Sequence, residues 1–186
     1  MTSTYPHAKH LSAFVLLLAA TAGHAATIAI PCTSAGLVGA LHTVNDNSQA
    51  NTLELAPGCT YTLIGVDNSD ANSGDNGLPQ ILTTHALTVN GHGAIIERAP
   101  GAPPFRLLQI GAGDGSTPLA AVALNDLTLR YGQALGTAAN PLAGAGIEFL
   151  SQNSGQLSLD NATLSGNAAG AGGAIAASGV LHVANS

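Results

Sequence analysis

The chain has 186 residues, 46% of them apolar and only 8% charged, with 23 glycines and no tryptophan. Four basic residues face ten acidic ones, a formal net charge of −6 at neutral pH. That balance leaves no electrostatic footprint for nucleic acid, and so little charge with so much apolar content excludes ordinary disorder.

Residues 1–25 read as a secretory signal peptide. His7, Lys9 and His10 precede an apolar run from Leu11 to Ala22, which ends in small residues around Ala25 and Ala26. The run is short for a membrane span, and no later segment is long and apolar enough to be one. The mature chain is therefore expected without a transmembrane segment, secreted or at the cell surface, with an association with the outer membrane left open. Residues 26–48 are expected to form an N-terminal cap. Within it Leu37, Ala40, Leu41 and Val44 recur at i, i+3, i+4 and i+7, which is one face of a helix, and Ser34 is the candidate N-cap. This short amphipathic helix would cover the open end of the sheet that follows. Cys32 and Cys59 are the only cysteines. An even count behind a signal peptide reads as a disulfide, and no Cys or His has the paired spacing of a zinc site.

From residue 49 to 186 the pattern is that of short strands. Thr52-Leu-Glu-Leu55 and Thr60-Tyr-Thr-Leu63 flank a turn at Ala56-Pro-Gly58. The stretch from Asp67 to Gly77 is rich in oxygen ligands and glycine but lacks the spacing of an EF-hand loop. It reads as a solvated loop, and no metal or cofactor is expected. Then comes the most informative feature. Leu87-Thr-Val-Asn-Gly91, Val122-Ala-Leu-Asn-Asp126, Leu157-Ser-Leu-Asp-Asn161 and Leu181-His-Val-Ala-Asn185 share one pattern, recurring after 35, 35 and 24 residues. A second echo joins Gly144-Ala-Gly-Ile147 to Gly172-Gly-Ala-Ile175. Each unit has two aliphatic residues at i and i+2, followed by a pair drawn mostly from Asn, Asp and Gly. One such strand cannot hide its apolar side alone, so successive turns of chain must stack at about 4.8 Å. The polar pair then falls at one corner, where a left-handed backbone or an Asx turn is needed, and Asn90, Asn125 and Asp160 form a column. The fold expected is all-β, a right-handed parallel β-helix with a short N-terminal capping helix.

Leu55-Ala-Pro-Gly-Cys-Thr-Tyr-Thr-Leu63, Gly77-Leu-Pro-Gln-Ile81, Ala94-Ile-Ile-Glu-Arg98 and Phe105-Arg-Leu-Leu108, in this order with the repeats, resemble the N-terminal part of secreted bacterial right-handed parallel β-helix repeat proteins. These are grouped with polymorphic outer-membrane-protein-like surface proteins and share the pectin-lyase-like architecture. The resemblance implies fold and surface location, and little chemistry. Typical members are longer, so the coils are expected to be incomplete at the C-terminus, with the last strand prone to end-to-end self-association.

Candidate catalytic residues are weighed against structural roles. Gly91-His-Gly93 is similar to a short motif of polygalacturonases, but the acidic elements that precede it there are missing here, and it reads as a turn. Asp126 and Asp160 sit at neighbouring corners, and paired carboxylates are what glycoside hydrolysis needs. Their columns are otherwise filled by asparagines that shape turns, so no catalytic residue is assigned. Arg98, Arg106 and Arg130 could assist a calcium-dependent lyase, but no cluster of Asp ligands accompanies them. Asn161-Ala-Thr163 fits a glycosylation acceptor and also fits the repeat. The expectation is a non-enzymatic secreted or cell-surface scaffold, adhesin-like or a stalk module, whose partner is carbohydrate or a cell-surface protein. The alternative is a polysaccharide lyase or glycoside hydrolase acting on acidic polysaccharide. A cleft with two carboxylates and an Arg would favour the enzyme, and a lateral face of Thr, Ser, Asn and small residues the scaffold.

Overall fold

The computed structural model describes residues 25–116, 118–136, 142–151 and 155–186. The leader expected over 1–25 lies outside them except for Ala25. Over the described residues the chain is mostly strand, with one short helix and parallel sheets. It opens with β1 (Ala26–Ile30), α1 (Ser34–Asp46), β2 (Asn51–Leu55) and β3 (Thr60–Leu63). A small hairpin follows, β4 (Asn68–Asp70) and β5 (Gly74–Asn76). Beyond it lie β6 (Leu87–Arg98), β7 (Leu108–Ile110), β8 (Ala121–Arg130), β9 (Gln133–Ala134) and β10 (Ile147–Phe149). The last four are β11 (Gln156–Ser165), β12 (Ala168–Ala169), β13 (Ile175–Ala177) and β14 (Val180–Ala184).

The large sheet has the order β1-β2-β6-β8-β11-β14, with β3 also on β6. All of these pairings are parallel. Its register is the one the repeat predicts. Val89 stands beside Leu124, Leu124 beside Leu159 and Leu159 beside Val183. The second echo is also a pairing, since Ile147 of β10 lies between Leu108 of β7 and Ile175 of β13 in a smaller parallel sheet. β9 and β12 form a third parallel pair. Among the described strands only β4 and β5 are antiparallel.

Alternation explains the core. In β8 the residues Val122, Leu124, Leu127 and Leu129 are buried, and they join the inward residues of β6 and β11 and those of β7 and β10 in one apolar cluster. β14 departs from this pattern, because Val183 is 53% exposed. It is the outer strand of its sheet, so one neighbour rather than two covers it.

α1 buries Leu37, Ala40, Leu41 and Val44, the face that their spacing predicts. Its cap differs from the expectation. Thr33 is the N-cap and accepts from the Gly36 N–H, whereas the Ser34 hydroxyl donates to the Thr62 carbonyl at 2.7 Å. Both residues are good cap formers, and the contact with β3 decides between them. Cys32 and Cys59 are disulfide-bonded, with Cα atoms 5.7 Å apart, which ties the entry of α1 to the start of β3. β1 was not foreseen: its Ala-Thr-Ile-Ala-Ile sequence joins the signal-peptide boundary and gives no turn punctuation before it. Among the described residues no helix is long and apolar enough to cross a membrane.

Candidate functional site

The polar pairs of the repeat build two adjacent columns. Glu54, Asn90, Asn125 and Asp160 occupy equivalent register positions on β2, β6, β8 and β11. The Asn90 amide donates to Glu54 Oε1 at 2.9 Å, and the Asn125 amide to Asn90 Oδ1 at 3.1 Å. The next column has left-handed backbone. Asp126, Asn161 and Asn185 have φ of 49°, 51° and 52°, values that Asn and Asp tolerate because their short side chains bond locally. In β6 this conformation falls on His92, with φ 52°, and not on Gly91. The reason is an irregularity between Asn90 and Ala94, where β6 has more residues than β8. Gly91 is needed there for another reason, since a Cβ would run into the Asp126 carbonyl. The Gly-His-Gly run is thus a bulge. His92 Nε2 lies 2.6 Å from Glu54 Oε2. His92, followed by Asn90, holds the Glu54 carboxyl below the usual glutamate pKa.

Asp126 and Asp160 stand in different columns and meet different partners. Asp126 Oδ1 accepts from the Asn161 amide and Asp160 Oδ1 from the Asn185 amide, each at 2.8 Å. Asn161, the glycosylation candidate, therefore has its amide engaged on the ladder. Arg130 is bound to Glu97 Oε2, through Nε at 2.7 Å and Nη2 at 2.6 Å. Arg98 donates from Nε to the Tyr131 carbonyl at 2.9 Å and from Nη1 to the Ala102 carbonyl at 2.6 Å. None of the three arginines converges on Asp126 or Asp160. Among the described residues no three His, Cys, Asp or Glu side chains group as metal ligands would.

The stretch Asp67–Gly77 is not the solvated loop expected. It folds as the β4–β5 hairpin, and Ser73 and Asn76 are buried. Asp70 is the hub. Its carboxylate accepts from the N–H groups of Asn72 (2.8 Å), Ser73 (3.1 Å) and Gly113 (2.8 Å) and from the Gln80 amide (3.0 Å). Burial works against its charge, but these donors outweigh burial and hold the carboxyl below the usual aspartate value.

Beneath the hairpin lies a polar cluster that the sequence reading missed. Arg106 is fully buried. Its Nη1 donates to Asn76 Oδ1 at 2.9 Å, and its Nη2 to the carbonyls of Ser73 (2.9 Å) and Ala143 (2.8 Å). Nε donates to the Gly144 carbonyl at 2.9 Å. Nη2 is also 3.1 Å from Glu148 Oε2, yet that oxygen is buried with no aligned hydrogen bond among the described residues. Burial pushes the Glu148 carboxyl above its ordinary value, although Arg106 and the Ser73 hydroxyl pull it down. Burial likewise lowers Arg106, against the attraction of Glu148 and Asp70. Both shifts run toward the neutral form, so desolvation outweighs attraction in this pair. The cluster is sealed and braces the hairpin on β7 and β10. A signal did exist in the sequence. Arg106 lies in Phe105-Arg-Leu-Leu108 and Glu148 in Ile147-Glu-Phe149, and single charges inside apolar strands are rarely buried unless paired.

Beside the columns runs a row of small side chains, which reaches Thr27 on β1 and His182 on β14 at its two ends. Thr52, Thr88, Ala123 and Ser158 follow one another in register on β2, β6, β8 and β11, each half-buried. Comparison of the chain with known protein families, with curated proteins and with solved structures finds no match.

Proposed function

We propose that the protein is a right-handed parallel β-helix acting as a non-enzymatic scaffold, an adhesin-like or stalk module of a secreted or cell-surface protein similar to the polymorphic outer-membrane-protein-like group. The observation that supports this most is the lateral row of Thr52, Thr88, Ala123 and Ser158 in strict register. These four small side chains offer a regular surface to a partner with no acid or base among them, bordered by His182 on β14 and by the column of Glu54, Asn90, Asn125 and Asp160. Parallel strands joined by crossovers take the right-handed sense in nearly all proteins, which supports the handedness. Repeated strand pairing at a step of 35 residues supports stacking of coils, in which each turn is stabilised by its neighbours. The enzymatic alternative needs two carboxylates facing one substrate. Asp126 and Asp160 are instead each engaged by an asparagine of the next strand, as a turn-shaping role requires.

The test is turnover. Purified protein is expected neither to shorten polygalacturonate or alginate nor to release unsaturated products, with or without added calcium. Activity that disappears in Asp126→Asn or Asp160→Asn would replace the scaffold by the enzyme.

A further inference from the structure

One groove of about 370 Å³ is lined by Arg98, Pro100, Tyr131, Gln133 and Gly166, and it is built differently from the rest of the surface. Tyr131 has φ 67°. Elsewhere among the described non-glycine residues, positive φ falls on Ser48, His92, Asp126, Asn161 and Asn185, all small or polar. A tyrosine has no local hydrogen bond with which to offset that conformation, and a bulky residue there is a true outlier. Core packing does not explain it, because Tyr131 is 46% exposed. Its ring is nevertheless held in place. The Arg130 guanidinium lies 5.2 Å from the ring centroid, and on Gly166 a Cβ would come within 2.7 Å of the ring.

Arg98 supplies the charge. Its Nε and Nη1 are spent on the carbonyls of Tyr131, Ala99 and Ala102, which fixes the guanidinium plane. Among the described residues nothing bonds its Nη2, and no carboxylate pairs with it, whereas Arg106 faces Glu148 and Arg130 faces Glu97. In a chain with ten acidic residues and four basic ones, an unpaired arginine in a groove is informative. The Tyr131 hydroxyl and the Gln133 side-chain amide likewise have no partner among the described residues. The groove thus offers a fixed cation, an aromatic wall, a hydroxyl and an amide, with no acid among the described residues that line it. Its volume is in the range of sites that take a small ligand.

We propose that this groove is a non-catalytic binding subsite for a sugar acid. The ligand's carboxylate meets Arg98 Nη2, its ring lies along Tyr131, and its hydroxyls bond Gln133. The proposal rests on the scaffold reading and names the chemistry of what the scaffold holds.

The experiment is a titration of the full chain, followed by amide chemical shifts, with glucuronic acid and with N-acetylneuraminic acid. Glucose and sodium sulfate serve as controls, and a short peptide serves as an alternative source of carboxylate. At least one sugar acid is expected to shift residues 98–102, 131–133 and 166, and to bind more tightly than any control. Arg98→Gln should weaken binding by roughly tenfold to a hundredfold, the contribution of one charge-assisted hydrogen bond. Tyr131→Asn should lose binding while keeping or raising the thermal midpoint, because Asn suits positive φ. The subsite is overturned if neither acid binds, or if glucose, sulfate or the peptide binds as well. It is also overturned if Tyr131→Asn lowers the midpoint, since the tyrosine would then be structural. Shortened products from polygalacturonate would overturn the scaffold reading and leave the binding result standing.

Discussion

At the scale of single residues, the molecule depends on side chains whose neighbours lie one strand away. Leu159 is buried between Leu124 and Val183. Leu159→Ala is expected to cost about 2–5 kcal/mol, from lost transfer energy and the cavity left behind, measured by urea unfolding. Gly91→Ala should cost about 1–3 kcal/mol, as overpacking does, because the new methyl meets the Asp126 carbonyl. The Arg106–Glu148 pair behaves differently. With desolvation dominant, Glu148→Gln, which copies the protonated carboxyl and leaves Arg106 bonded to Asn76 and to backbone carbonyls, is expected to keep or raise stability at neutral pH. Arg106→Met, which leaves the carboxylate buried without its counter-charge, is expected to lower it by about 3–5 kcal/mol, both measured by urea unfolding.

At the scale of elements, two devices fasten the N-terminal half. The Cys32–Cys59 bond closes the segment that contains α1, and reducing it should cost about 3–4 kcal/mol on the chain-entropy account. Unfolding with and without a reductant measures this, and two alkylatable thiols in the untreated protein would refute the pairing. The other device is the β4–β5 hairpin, fastened through Asp70. Its carboxyl is held below the ordinary value, so its contribution is full above the unfolded pKa of about 3.9. It is lost as the pH falls through the folded value. Glu148 acts in the opposite sense. With its carboxyl raised, its contribution falls as the pH rises from the ordinary glutamate value through the folded one. The thermal midpoint of Asp70→Asn is expected to start lower at neutral pH and to fall less than that of the native chain on acidification toward pH 3. Equal slopes would show that Asp70 is not the acid-sensitive fastening.

At the scale of the whole molecule, the surface divides into three regions. One lateral strip is made mostly of small hydroxyl-bearing and methyl groups, and beside it an asparagine and aspartate ladder links adjacent strands. The groove at Tyr131 is a third region, where a strained aromatic and an unpaired arginine depart from both. In the scaffold reading the columns maintain the repeat, the strip offers a regular surface to a partner, and the groove holds the sugar acid. That division separates the stability variants from the binding variants. Leu159→Ala and Gly91→Ala should weaken the fold and leave the intrinsic affinity of the remaining folded molecules unchanged, whereas Tyr131→Asn should do the reverse.

The sequence by itself determined whatever repeats or is local. Aliphatic alternation placed Val89, Leu124 and Leu159 side by side, because a period of two leaves only one buried face. The spacing of Leu37, Ala40, Leu41 and Val44 determined the helix, and two cysteines in an otherwise cysteine-free chain pointed to their own bond. Tertiary structure decided what depends on a neighbour remote in sequence. Thr33 rather than Ser34 caps α1, because the Ser34 hydroxyl finds the Thr62 carbonyl on β3. Asp67–Gly77 becomes a fastened hairpin because Gly113 and Gln80 reach Asp70 from later segments. The unpaired state of Arg98 could not be read from composition, since it depends on which carboxylates the packed strands bring near. Periodicity encodes which face is buried; the partner of a particular charge is set only when distant segments pack together.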